Sequence, residues 1–151
     1  MPTVGETLFL DTNILLTATD RSRKHHDAAR KLLTEAGTGQ FHLALSGQVL
    51  REYLVVATRP TDVNGLGLPV PDALRNVDVF SSPPFLFCEE SERVSKRLRE
   101  LAAAYGLVGR RLHDANLVAT MLIRGITRLV TQNTSDFSEF SEIQVCDLLE
   151  A

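Results

Sequence analysis

Cysteine is scarce in this chain: only Cys88 and Cys146 occur, and neither belongs to a C-x-x-C or Cys/His spacing. A disulfide-stapled scaffold is therefore excluded, and two reduced thiols in a reducing compartment are expected rather than a disulfide between them. Long apolar runs are also missing, so no segment qualifies as a membrane span. The first ten residues lack the basic and apolar regions of a signal peptide, and a cytoplasmic location is expected. There is no excess of basic charge either. The net charge is -3, so composition by itself does not announce a nucleic-acid binder. Internal repeats and low-complexity segments are absent.

What is present is ordinary globular material: 44% apolar and 23% charged residues over 151 positions. A chain of that size buries roughly 68 to 70% of its unfolded surface in one core. A single domain spanning 1–151 is expected. Lys96, Arg97, Arg99, Arg110 and Arg111 fall within one short stretch. Such a run is more often a solvated helix face, but a local basic patch can also hold a phosphate backbone.

Short apolar runs at 8–10, 41–45, 85–88, 128–131 and 143–146 read as buried strands. Between them lie helical patterns. Asn13 is placed to cap a short helix through Thr17, and a second helix covers 25–35 before Gly37-Thr38-Gly39. Ser46 is placed as the cap of a helix to about Ala57, stopped by Arg59-Pro60. A loop fills 61–70, Pro71 enters the first turn of a helix toward Phe80, and helices at 91–105 and about 112–124 end at Gly106 and Gly125. Strands alternating with helices predict a parallel sheet with right-handed crossovers: an α/β, three-layer α/β/α sandwich.

In such sheets the functional crevice lies at the carboxyl ends of the strands. Asp11 directly follows the first strand, and Asp136 lies five residues past Thr131, on the same edge. Glu52 shares a helical face with Val49, Tyr53 and Val56, and Asp114 shares one with Leu117, Val118 and Met121. A carboxylate on an apolar stripe needs a basic partner, capping donors or a cation. Each acid alone has a plain structural explanation. Asp11 can cap the helix that follows, Asp114 can favour a helix dipole, Glu52 can pair with Arg51 or Arg59, and Asp136 can sit in a turn. All four together point instead to a shared cation. Oxygen ligands without His or Cys fit magnesium or manganese, and such a site suits phosphodiester hydrolysis.

Four ordered motifs carry a resemblance: Leu10-Asp11-Thr12-Asn13; Glu52 in mid-helix; His113-Asp114-Ala115-Asn116-Leu117-Val118-Ala119; and Thr131-Gln132-Asn133-Thr134-Ser135-Asp136-Phe137. In order and spacing the chain resembles the PIN-domain ribonucleases, and among them the VapC-type toxins of bacterial toxin-antitoxin systems. The resemblance implies a PIN-like nuclease domain that cleaves RNA with Mg2+ or Mn2+. It also implies an acidic quartet of Asp11, Glu52, Asp114 and Asp136, a site hydroxyl at Thr131, and supporting amides at Asn13 and Asn133. An antitoxin partner and a homodimer are implied as well. Some relatives of this kind carry Asp at the position of Asn133, so the number of metals stays open. Arg110 and Arg111 are expected to steer RNA, His25 and His26 to lie at the surface or pack, and His113 to be a weaker substrate-contact candidate. The competing expectations are an inactive PIN-like module that only binds RNA or protein, a receiver-type phosphoacceptor domain, and a nuclease acting on DNA.

Overall fold

In the computed structural model, which describes residues 2–151, five strands form one parallel sheet. β1 (Thr7–Leu10) is followed by α1 (Thr12–Thr19) and α2 (His26–Ala36), then β2 (His42–Ser46), α3 (Gly47–Thr58) and α4 (Val70–Phe80). β3 (Phe85–Cys88), α5 (Glu92–Tyr105), α6 (Arg111–Ile123), β4 (Arg128–Thr131) and β5 (Gln144–Asp147) complete the chain. Every strand pair is parallel, in the order β3-β2-β1-β4-β5. The chain thus builds outward from β1 to β3, then crosses back to the other side of β1. That reversal opens a crevice between the carboxyl ends of β1 and β4, where ligands of open α/β sheets bind.

Right-handed crossovers put helices on both faces of such a sheet. α1 packs on α2 and α3, α3 on α4, and α5 separately on α6. Between these layers the central strands are buried on both sides, with Leu8, Phe9, Leu43, Leu45, Leu129 and Val130 at most 1% exposed. This explains why they read as continuous apolar runs rather than alternating ones. Tyr53, the largest fully buried side chain, stacks edge-to-face on Phe80, which repeats the geometry on Phe85. Its hydroxyl is not stranded in the core, because it meets Thr19 Oγ1 at 2.9 Å and accepts from Asn76 Nδ2 at 3.0 Å.

Most predicted elements are present with shifted ends. Asn13 does not cap α1: the Asp11 side chain accepts from Thr12 N at 2.8 Å, so the helix begins one residue earlier than Asn13 and extends to Thr19. His25 lies just outside α2 in a left-handed conformation, and His26 packs its Nδ1 2.8 Å from the Thr17 carbonyl oxygen. Ser46 does cap α3, weakly, by accepting from Val49 N at 3.5 Å. Cys88 on β3 and Cys146 on β5 are both free. They sit on opposite edges of the sheet, four strand spacings or roughly 19 Å apart, far beyond disulfide reach. Burial pushes the Cys88 thiol pKa up. Among the described residues, no helix is long and apolar enough to cross a membrane.

Candidate active site

A single open cleft of about 600 Å³ is lined by Asp11, Glu52, Asp114 and Asp136 together with Asn13 and Asn133. Arg110, Arg111, Arg59 and His113 line it too. The four acids arrive from four separate segments: the end of β1, the middle of α3, the first turn of α6, and the short turn after β4. Asp11 sits at the crevice because the apolar run of β1 ends there. Glu52 and Asp114 sit there because the apolar stripes of α3 and α6, carrying Val49 and Tyr53 on one and Leu117, Val118 and Met121 on the other, are buried beneath them. The stripes dock each helix on the core and leave the acid at the mouth of the cleft.

Asp11 is the most constrained of the four. Its Oδ1 accepts from Thr12 N, and its Oδ2 accepts from the Thr131 hydroxyl at 2.8 Å and from Asn13 Nδ2 at 3.3 Å. Thr131 is fully buried, and its oxygen also accepts from Asn13 Nδ2 at 3.2 Å and from Asn133 N at 3.0 Å. With two donors pointing in, the hydroxyl hydrogen is left for Asp11. Asn13 completes the tie between β1 and β4 by accepting from Gln132 N at 3.1 Å. Desolvation, reinforced by the charges of Glu52 and Asp114, pushes the Asp11 pKa from an ordinary 3.8 up to about 6, while the hydrogen bonds from Thr131 and Thr12 N hold it down. Thr131→Val is therefore expected to move the Asp11 titration above 6 and to cost about 1 to 3 kcal/mol from lost buried hydrogen bonding. Carbon-13 NMR of the aspartate carboxyls in EDTA, with a melt alongside, checks both; an unmoved titration would remove Thr131 from this role.

Glu52 pairs with neither Arg51 nor Arg59. Its Oε2 accepts from the buried Thr12 hydroxyl at 3.1 Å and its Oε1 from Gln48 Nε2 at 3.1 Å. Asp114 does have a cation: Arg111 Nη1 donates to its Oδ2 at 2.8 Å. Desolvation raises the Asp114 pKa against that pairing, with further repulsion from Asp136 and Glu52. Asp136 is exposed, and its main-chain carbonyl accepts from Arg111.

The sequence-predicted basic cluster does not stay together. Arg97 pairs with Glu100 and Glu142, and Arg99 donates to the Ser95 carbonyl. Arg111 is committed to Asp114, the Asp136 carbonyl and Glu139, with its guanidinium 5.5 Å over the Phe140 ring. Arg110 stands exposed at the rim. Thr12 and Gln48 are site residues that sequence reasoning gave no role, although Thr12 lies inside the Asp-Thr-Asn motif and Gln48 is one helical turn before Glu52. A receiver-type phosphoacceptor also puts an Asp at a strand end beside other acids, but it needs a lysine there, and no lysine among the described residues lines the cleft.

The donor set tests the fit of a divalent cation. Four carboxylates share one cleft, desolvation and repulsion among them raise the pKa of Asp11 and Asp114, and the side chain of only one, Asp114, is ion-paired, to Arg111. Among the described residues no three acid, histidine or cysteine side chains close into a ready cage. An open set of hard oxygens suits magnesium, which is held by one or two carboxylates while keeping waters and room for phosphate. The residues fit the ion.

The PIN domain family model matches residues 8–143. Ribonuclease VapC24 of Mycobacterium tuberculosis is 33% identical over 140 residues, covering 93% of this chain and 95% of that protein. Among solved structures, VapBC2 from Rickettsia felis bound to a promoter DNA fragment superposes with a TM-score of 0.67 at 19% identity, covering 93% of this chain and 98% of that one. A toxin-antitoxin complex from Klebsiella pneumoniae gives a TM-score of 0.60 at 24% identity, covering 95% and 99%. At those identities the two structures speak for the fold alone.

Proposed function

Because the chain belongs to the PIN domain family, we propose that it is a divalent-metal-dependent endoribonuclease, the toxin component of a toxin-antitoxin pair. The observation that carries this is the meeting of Asp11, Glu52, Asp114 and Asp136 on one cleft at the β1/β4 crevice. The similarity to a protein named a ribonuclease over nearly its whole length supports the substrate class. The likeness in fold to a toxin-antitoxin complex supports the partner.

Asp11, Glu52 and Asp114 would hold the ion, magnesium or manganese, directly or through water, and Asp136 would complete the set. A divalent ion held there supplies Lewis acidity toward a phosphodiester and makes water a better nucleophile near neutral pH. The protein's own groups do the positioning. Thr131 and Thr12 N keep the Asp11 carboxylate oriented and lower the cost of its charge. Asn13 braces the β1 and β4 ends around it, and the Asn133 main-chain N–H holds the Thr131 hydroxyl oxygen. Arg110 at the rim draws in the RNA backbone, and Arg111 fixes Asp114 against the segment after β4. The whole of 1–151 acts as one nuclease domain, works as a homodimer in the cytoplasm, and is silenced when a small antitoxin occupies the cleft.

Incubation with cellular RNA, followed by mapping of new ends, tests the proposal. Cleavage is expected with Mg2+ or Mn2+, to vanish in EDTA, and to return with excess metal. Cleavage that persists in EDTA overturns the metal assignment. Absence of cleavage with every metal favours a binding-only module, and a parallel arm on single-stranded DNA decides between the nucleic acids.

A further inference from the structure

Gln48 lies on the second position of α3 and is only 2% exposed, yet it is neutral and belongs to none of the motifs that mark the site. Burial of an amide is costly unless its donors and acceptor are all used. Here they are. Nε2 donates one hydrogen to Glu52 Oε1 at 3.1 Å and the other to the His113 carbonyl at 2.8 Å, and Oε1 accepts from Asn116 Nδ2 at 2.7 Å. Turning the amide over would set oxygen against the Glu52 and His113 oxygens, and nitrogen against the Asn116 donor. Its orientation is thereby fixed.

The partners span the two helices that carry site acids. Glu52 is one turn further along α3, and His113 immediately precedes Asp114 on α6. A second loop of contacts locks the strut from behind: Glu90, in the segment after β3, accepts from Gln48 N at 2.9 Å and from Asn116 Nδ2 at 2.7 Å. Gly47 leaves space for that carboxylate, since a Cβ there would lie 3.3 Å from Glu90 Oε2. We infer that Gln48 is a positioning residue which sets the spacing of the Glu52 and Asp114 carboxylates for a shared divalent cation, with Asn116 holding its amide in place. This role rests on the metal-dependent reading of the cleft.

Outer contacts that orient metal-binding carboxylates change metal affinity by about tenfold or more when removed. The test is calorimetric titration of the full chain with Mn2+ alone, for the wild type, Gln48→Met and Asn116→Ala, beside melting curves in EDTA and steady-state cleavage. Gln48→Met keeps side-chain length without the hydrogen bonds. It is expected to weaken Mn2+ binding about tenfold while staying folded at the assay temperature, with kcat reduced, recovery in excess Mn2+, and little change in KM for RNA. Asn116→Ala, which releases the Gln48 amide oxygen but removes no hydrogen bond to Glu52 itself, is expected to weaken Mn2+ binding severalfold. Unchanged Mn2+ affinity in a folded Gln48→Met overturns the role; if that variant does not fold, unchanged affinity in Asn116→Ala does so. A wild type that binds no Mn2+ instead fails the metal reading itself, and this role falls with it.

Discussion

Asp11→Asn is expected to abolish RNA cleavage while leaving the metal-free protein at neutral pH as stable as the wild type, or more so. The activity loss follows from removing the carboxylate that the cleft holds most firmly. The stability result comes from a balance of two effects. Asp11 titrates at about 6 in the fold against an ordinary 3.8. A carboxyl with a raised pKa binds its proton more tightly folded than unfolded. Its charge therefore costs the folded state progressively more as pH rises from 3.8 to 6, and the full cost, about 3 kcal/mol at ~1.4 kcal/mol per pH unit, is present above 6.

The amide removes that cost but cannot copy the carboxylate. Thr131 already accepts from two donors, so its hydrogen needs an acceptor at position 11, as does Thr12 N. An asparagine has one oxygen for two such donors, and losing a buried hydrogen bond costs about 1 to 3 kcal/mol. The net expectation in EDTA is a gain of roughly 0 to 2 kcal/mol at pH 7.5, turning into a loss below pH 4, where the wild-type carboxyl is protonated in both states. Melting curves at the two pH values measure this crossover. A variant clearly less stable than the wild type at pH 7.5 would show that Asp11 is not held as a strained charge.

Parts of this site were legible in the sequence for a reason that can be named. Asp11 stands where an apolar strand stops, and Glu52 and Asp114 interrupt apolar helical faces, so local pattern alone exposed each as an expensive residue. Other parts depend on what the fold brings in from a distance. Gln48 looks like any polar residue near a helix start until α6, more than sixty positions later, supplies His113 and Asn116. Asn13 has the chemistry of a cap, but Asp11, two positions earlier, takes the free amide, and Asn13 turns to β4 instead. Arg111 reads as a free cation beside Arg110, whereas its partners Asp136 and Glu139 follow 25 and 28 positions on. The pattern of the sheet was plain because its central strands are buried on both faces. The ends of helices were less so, because capping is decided by competition among neighbouring side chains.

Arg111→Met follows from that committed guanidinium, and its expected effects separate stability from metal binding. Arg111 joins the first turn of α6 to the segment after β4 through three acceptors while lying over Phe140. Methionine keeps the apolar stem over the ring and discards every donor. Asp114, whose pKa desolvation already raises and Arg111 lowers, then stands unpaired beside Glu52 and Asp136. The metal-free variant is expected to lose about 1 to 2 kcal/mol at neutral pH, a figure kept small because the pair is partly solvated. Since the added cost is that of a charged carboxylate, it should shrink as pH falls toward 4. A more negative cleft also attracts a cation more strongly, so added Mg2+ should raise the melting temperature of the variant by more than that of the wild type. Cleavage at saturating metal is still expected to fall tenfold or more, because the Asp136 segment is no longer tied to α6. Arg111→Lys should not rescue it, since one ammonium cannot reproduce the planar fork that meets three oxygens at once. Equal Mg2+ stabilisation of variant and wild type would show that Arg111 and the cation do not act on the same carboxylate.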